Sequence, residues 1–97
     1  MDRIPHPSGL EAEILHQLVV HGEMYGLQLV AASKQIKRGS IYVTLGRMAE
    51  KGWITSREIK MKNEPGLPRR LFTPTGLGER ALRAYEVAGA ILQGSFA

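Results

Sequence analysis

The sequence predicts a mainly α fold with a small β-hairpin, a winged helix-turn-helix made of a three-helix core, a wing and a C-terminal helix. Three observations support this fold class. Three short stretches with apolar residues at helical spacing come first along the chain. Two stretches rich in β-branched and aromatic residues follow, separated by a loop with two prolines. A last amphipathic stretch completes the 97 residues, which have room for one modest core.

The first helix is predicted over residues 9–21. Ser8 and Glu11 have the spacing of a capping box, in which each side chain accepts a hydrogen bond from the other residue's backbone amide. Apolar residues from Leu10 onward then recur at helical spacing until Gly22, which favours a helix end.

Two further helices are predicted before the hairpin. The second is short and covers residues 25–33, and the third covers residues 39–51. In the third helix Ile41, Leu45 and Met48 lie at positions i, i+4 and i+7, so they form one buried face. The other sides of this helix are polar and partly basic.

The hairpin is predicted from two strands, residues 53–60 and 69–73, with residues 61–68 as the loop between them. Pro74 is expected to end the second strand. Trp53 opens the first strand directly after the third helix. We expect its ring to anchor the hairpin in the core rather than to stack on a ligand.

The last helix is predicted over residues 75–93, with Thr75 as its N-cap. No further element is predicted after it, so we expect its apolar stripe to pack either on its own core or on a second copy of the chain. The stripe consists of Leu77, Ala81, Ala84, Tyr85, Ala88, Ile91 and Leu92.

The charge balance favours a polyanionic partner. Lysine and arginine number 13 against 9 acidic residues, which gives a net charge of +4 and a pI near 9.8. In a helix-turn-helix the second helix of the pair enters the major groove of DNA, and here that is the third helix. Arg47 is the best candidate for reading a guanine, whereas Lys37 and Ser40 suit phosphate contacts. The alternative interpretation is a solvated helix face.

Basic residues also surround the hairpin loop, at Arg57, Lys60, Lys62, Arg69 and Arg70. Such a cluster suits DNA phosphates, although charges also keep an exposed hairpin soluble and unpaired at its edges. Together the two regions predict double-stranded DNA as a partner. The candidate DNA-binding residues are Lys37, Arg38, Gly39, Ser40, Tyr42, Thr44 and Arg47 around the third helix, and Lys60, Lys62, Arg69 and Arg70 in the hairpin.

The sequence gives no indication of an enzyme, a cofactor or a metal site. It has no cysteine, and His6, His16 and His21 lack the spacing of metal ligands. It contains no recognisable nucleophile motif or phosphate-binding glycine loop. It also lacks a long apolar run and a secretory signal, so we expect no membrane contact and a cytoplasmic location.

Three segments together resemble the PadR family of bacterial and archaeal transcriptional regulators. Residues 24–29, Met-Tyr-Gly-Leu-Gln-Leu, are similar to the Tyr-Gly start of the family's second helix. Residues 40–54 resemble its recognition-helix signature, and residues 69–82 are similar to its return strand and the start of its last helix. The sequence departs from the family's common proline, tyrosine and leucine at Val43, Phe72 and Pro74 respectively.

This resemblance implies a homodimer formed through the last helices, binding to palindromic operators, and repression that a phenolic, drug-like or other effector relieves. It implies a DNA-binding domain over residues 1–74 and a dimerisation element over residues 75–97, with the apolar stripe as the dimer contact. A small-molecule effector is possible. We expect no defined ligand site, however, because the last helix lacks a tryptophan and the sequence ends without a further domain.

The function predicted is that of a sequence-specific, DNA-binding transcriptional repressor. Two alternatives stay open at this point. One is a winged-helix module that binds another protein in a transcription or replication complex, with the third helix as a mere surface. The other is a ligand-responsive sensor in which the dimer interface is the active feature.

Overall fold

The computed structural model describes residues 6–60 and 69–92, with side chains in the last helix only as far as residue 89. Within these residues the chain forms four helices and one three-stranded antiparallel sheet. The elements are α1 (Gly9–His21), β1 (Met24–Tyr25), α2 (Gly26–Ala32), α3 (Ile41–Glu50), β2 (Ile54–Ile59), β3 (Arg69–Pro74) and α4 (Gly76–Leu92). This is the predicted order with one added strand, β1. The predicted loop over residues 61–68 lies outside the described residues.

The ends of α1 are those predicted from the sequence. The backbone amide of Ser8 donates to Glu11 Oε1 at 2.9 Å, and the amide of Glu11 donates to Ser8 Oγ at 3.2 Å. At the other end, Gly22 has φ +82° and donates its amide to the carbonyl of Leu18 at 2.7 Å. Local hydrogen bonds therefore determine where α1 starts and stops.

The sheet has the order β1-β3-β2, so β3 is its central strand. Strand β1 pairs Met24 with Phe72, while β2 pairs with β3 from Ile54↔Pro74 to Ile59↔Arg69. The sequence analysis missed β1, because two residues are too few to show an alternating pattern. The strand was predicted to end at Thr73, before Pro74, but β3 includes Pro74 as its last residue, so this expectation was wrong by one residue. Proline fits here because β1 pairs with Leu71 and Phe72, so that at Pro74 the strand has β2 as its neighbour on one side and lies at an edge of the sheet on the other.

The core is formed by apolar side chains from every helix and from the sheet. It confirms the predicted buried face of α3 and the predicted burial of Trp53. The largest contributions come from Ile14, Leu15, Leu18, Leu29, Ile36, Ile41, Leu45, Met48, Trp53, Ile54, Phe72 and Leu82.

Among the described side chains of α4, those buried in the core lie in its first half. Thr75 caps it, since its hydroxyl oxygen accepts the amide of Gly78 at 3.0 Å, as predicted. Ala81 and Leu82 are buried in the core, whereas residues 83–88 are all exposed. Ala81 is therefore a correction to the predicted dimer contact, because its side chain is already covered by its own chain.

An ion pair ties the start of α1 to the residue that follows α3. Lys51 Nζ lies 2.8 Å from Glu11 Oε2 and 4.7 Å from the centre of the Trp53 ring. Burial raises the pKa of Glu11, but the hydrogen bonds from Lys51 and Ser8 outweigh it and hold the pKa below its ordinary 4.5. Glu11 thus serves the cap and the ion pair with the same ionised carboxylate.

We expect Gly78→Ala to lower the free energy of unfolding by about 1–3 kcal/mol, as overpacking does elsewhere. A Cβ on Gly78 would collide with the Trp53 carbonyl oxygen and lie 3.1 Å from Leu15 Cδ2. Urea denaturation measures the change. The matched control is Gly46→Ala, in the interior of α3 with open space around it. This control should leave stability unchanged or raise it by up to about 1 kcal/mol. Equal stability of the two variants would contradict the packing described.

The pKa of Glu11 predicts a stability that depends on acid. Because the folded pKa is lower than the ordinary 4.5, ionised Glu11 stabilises the fold above that value. This contribution is lost as the pH falls through the folded pKa. Urea midpoints measured from neutral to acidic pH should therefore fall less steeply in Glu11→Gln than in the wild type. Glu50→Gln, which changes an exposed carboxylate, should keep the wild-type slope. An unchanged slope in Glu11→Gln would refute this role of Glu11.

Candidate nucleic-acid interface

Helix α3 presents a continuous exposed face. Ile41, Leu45 and Met48 fix one side of the helix against the core. The opposite side is left in solvent, with Val43, Gly46, Arg47 and Glu50 spaced three or four residues apart, and with Tyr42 beside them. Arg47 is exposed, and its reading of a base stays a prediction.

A tight turn places two cations at the start of α3. The carbonyl of Lys37 accepts the amides of Ser40 at 3.3 Å and Ile41 at 3.1 Å. Lys37, Arg38 and Gly39 are exposed on this turn, and Ser40 is half-buried. A Cβ on Gly39 would meet no atom within 4 Å, so the space beside it is open. The turn thus brings four of the predicted residues to the same end of α3.

Thr44 is a correction. The sequence analysis placed it among the DNA-binding residues, but it is only 8% exposed. Its hydroxyl donates to the carbonyl of Ser40 at 2.9 Å, one turn back along α3. A side chain that is buried and already hydrogen-bonded to its own helix cannot reach a base.

Val43 is a residue of the exposed face that the sequence analysis missed. It is 59% exposed and lies four residues before Arg47, on the same side of the helix. Its spacing from Ile41, Leu45 and Met48 could have revealed this position, because it falls outside their face. A large exposed apolar side chain on this helix suits contact with a thymine methyl group.

The wing is the hairpin of β2 and β3. It carries Lys60, Arg69 and Arg70 at its outer end, and all three are exposed. Arg70 already has partners within its own hairpin: one nitrogen donates to Ser56 Oγ at 2.9 Å and another lies 3.5 Å from Glu58 Oε1. The guanidinium of Arg69 lies 5.1 Å from the centre of the Tyr25 ring. Lys62 lies outside the described residues.

Arg57 does not join the basic cluster expected from the sequence. It forms a two-pronged pair with Glu23, through Nε and a terminal nitrogen at 2.9 Å each, and Thr73 Oγ1 donates to the same carboxylate at 3.2 Å. The hydrogen bonds from Arg57 lower the pKa of Glu23, and Glu23 in turn raises the pKa of Arg57. Arg57 therefore links β2 and β3 to the turn after α1. Its partner is 34 positions away, which no local pattern indicates.

A groove of about 510 Å³ runs between the start of α2, the exposed side of α3 and β3. Tyr25, Tyr42, Arg69 and Arg70 lie along it, together with backbone and side chains of α2. The groove thus connects the exposed face of α3 to the cations of the wing.

A second cavity, of about 250 Å³, lies beside Trp53 and the first half of α4. Its lining is largely apolar, with Leu77 and Ala84 on one side and the cations of Lys51 and Arg80 at its edge. The expectation that the protein has no defined ligand site stays a prediction.

The described part of the chain offers neither a metal site nor a membrane span. Among these residues the histidine and glutamate side chains form no group of three that could hold a metal ion. No helix there is long and apolar enough to cross a bilayer.

A comparison with models of protein families shows the family to which this chain is related. Residues 14–84, more than half of the chain, match the model of the PadR-like family of transcriptional regulators. The chain belongs to this family. The resemblance noted in the three sequence segments is thereby confirmed, and the family is one of transcriptional regulators. A comparison with curated proteins found no significant match.

Solved PadR structures share the fold. Bacillus subtilis PadR in complex with operator DNA is 24% identical with a TM-score of 0.72, over 81% of this chain and 47% of that chain. The PadR regulator of Eggerthella lenta is 24% identical with a TM-score of 0.76, over 89% of this chain and 76% of that chain. That of Clostridium difficile is 18% identical with a TM-score of 0.75, over 91% of this chain and 94% of that chain. This chain thus spans about half the length of the first and nearly all of the last. The likeness confirms the predicted winged helix-turn-helix.

Proposed function

We propose that this PadR-family protein is a transcriptional repressor that binds a palindromic DNA operator as a homodimer. The observation that carries the proposal is the exposed face of α3, with cations on both sides of it. Lys37 and Arg38 lie at the start of the helix, and the wing brings Arg69 and Arg70. A polyanion that approached α3 would meet positive charge on either side.

Within this interface the residues divide by chemistry. Arg47 projects from the middle of the exposed face, where a planar guanidinium can pair with the O6 and N7 atoms of guanine. Val43, one turn earlier, offers an apolar contact to a thymine methyl group. Lys37, Arg38 and Lys60 lie around this face and suit phosphates, which set orientation without reading sequence.

The relative with operator DNA supports the same assignment. Bacillus subtilis PadR was crystallised in complex with its operator, and it shares this fold over 81% of the present chain. The basic residues of this chain occur around the helix that a helix-turn-helix places in the major groove. We therefore assign residues 1–74 to DNA binding.

We assign residues 75–97 to dimerisation. The second half of α4 lies beyond the core, and it carries Ala84, Tyr85, Val87 and Ala88 in exposed positions. The small side chains would let two such helices approach closely, and the large ones would supply buried apolar area. Val87, 58% exposed, was missing from the predicted stripe, and Leu77 is exposed nearer the core. The side chains of Ile91 and Leu92 lie outside the described residues.

Selection from a random pool of DNA duplexes at near-physiological salt tests the DNA proposal. The wild type should enrich a sequence with two-fold symmetry, with half-sites about one helical turn, roughly 34 Å, apart. Arg47→Ala should cost about 1–3 kcal/mol for each half-site of that duplex and relax the preference at one base pair in each half-site. Arg38→Ala, which removes the same charge, should weaken selected and scrambled duplexes alike. Val20→Ala, on the exposed side of α1 and outside both proposed interfaces, is the neutral control.

Two results would refute this proposal. Binding that is equal for all duplexes and vanishes as salt rises would leave only a non-specific charge effect. The interaction-module interpretation would then take its place. A selected sequence with a single half-site would refute the two-fold operator alone.

The dimer proposal predicts that one charge in the exposed half of α4 produces a monomer. Val87→Glu should shift the mass found by sedimentation equilibrium from that of two chains to that of one, because two carboxylates would be forced into an apolar contact. Val20→Glu is a suitable control, because it changes a valine of nearly equal exposure in α1. A wild type that is monomeric at concentrations where it binds DNA would rule out the dimer.

A further inference from the structure

The start of α2 and the recognition helix touch through a glycine and a tyrosine. A Cβ built on Gly26 would lie 2.7 Å from Tyr42 Cε1 and 2.9 Å from both Cζ and the hydroxyl oxygen. These three atoms of Tyr42 are the nearest neighbours of that position. The outer end of the phenol ring therefore lies directly against Gly26, in space that any other residue would occupy.

Backbone conformation does not account for this glycine. Among the described residues only Gly22 and Gly52 have positive φ, so Gly26 has a backbone that any residue adopts. Glycine is also a poor helix former, and it stands at the first position of α2. The contact with Tyr42 is the feature of its surroundings that requires the absence of a side chain.

The contact holds Tyr42 in a defined place although the ring is 57% exposed. Its hydroxyl makes no hydrogen bond to any residue within 6–60 or 69–92. Both Gly26 and Tyr42 line the groove that also contains Arg69 and Arg70. The hydroxyl is thus presented between the exposed face of α3 and the cations of the wing, where a phosphate of bound DNA could accept its hydrogen bond.

We propose that Gly26 is a positioning residue for DNA binding, which lets the Tyr42 ring lie on α2 so that its hydroxyl meets the sugar-phosphate backbone. This inference rests on the proposed function. Adding a methyl group at position 26 would push the ring aside. Because the displaced atoms are the far end of an exposed side chain, the fold can absorb the change at little cost, whereas the hydroxyl leaves its place.

The test is a double-mutant cycle on the duplex selected by the wild type, with affinity measured by fluorescence anisotropy. We expect Gly26→Ala to weaken binding about tenfold for each half-site, the size expected for one lost hydrogen bond to a charged group, and therefore about a hundredfold for the duplex bound by two chains. Tyr42→Phe, which keeps the ring and removes the hydroxyl, should weaken it by a similar factor. In a Tyr42→Ala background, Gly26→Ala should cause no further loss. The melting temperature of Gly26→Ala should stay close to that of the wild type.

The matched control is Gly9→Ala, which changes the first residue of α1. A Cβ there would lie in ordinary contact, 3.5 Å from the Tyr85 hydroxyl oxygen, so DNA affinity should be unchanged. In the free protein, NMR should show nuclear Overhauser contacts between the α-protons of Gly26 and the ring protons of Tyr42.

Several results would overturn the inference while leaving the proposed function in place. One is a loss of DNA affinity from Gly26→Ala that is equal in the wild-type and Tyr42→Ala backgrounds, and another is no loss of affinity at all. The absence of nuclear Overhauser contacts between Gly26 and the Tyr42 ring, or a Gly26→Ala protein that does not fold, would also overturn it. A wild type that enriches and binds no duplex would overturn the proposed function and this inference together.

Discussion

The burial of Trp53 is the constraint on which the rest of the fold depends. Its backbone amide donates to the carbonyl of Met48, in the last turn of α3, at 3.0 Å. Its backbone carbonyl accepts the amide of Thr75, the N-cap of α4, at 3.0 Å. Gly78 then packs so closely on that carbonyl that no side chain fits between them. One residue thereby joins α3, β2 and α4, and its ring fills the core where they meet.

Charge counts alone give an inaccurate picture of the basic surface. The net charge of +4 and the basic residues around the hairpin suggest a wing whose cations are all unpaired. In the structure, however, Arg57 is paired with Glu23, and Arg70 contacts Ser56 and Glu58. Lys51 is likewise paired with Glu11. Arg57 and Lys51 thus join separate elements of the fold, whereas the cations of the candidate interface lie at the turn before α3 and along the wing.

How much the sequence could predict follows from the range of the interactions involved. The bounds of α1 were predicted correctly because Ser8, Glu11 and Gly22 act within a few residues of the helix ends. The pairing of Arg57 was missed because its partner lies far along the chain, and β1 was missed because it is too short to show a pattern and also pairs with a distant strand. Thr44 was misassigned although a local signal existed. It lies three residues after Ile41 and four before Met48, and therefore on the buried face that those residues already defined.

In the proposed dimer, the same junction at Trp53 would determine the distance between the two recognition helices. Helix α4 leaves the core directly from Thr75 and Gly78, and both residues are held against Gly52 and Trp53 at the end of α3. The helix that would read DNA and the helix that would pair the chains therefore meet at one packed junction. The half-site spacing would then be a property of a packed core, which resists continuous deformation. A ligand or substitution that shifted Trp53 would change the spacing of both recognition helices, and with it the fit to both half-sites at once.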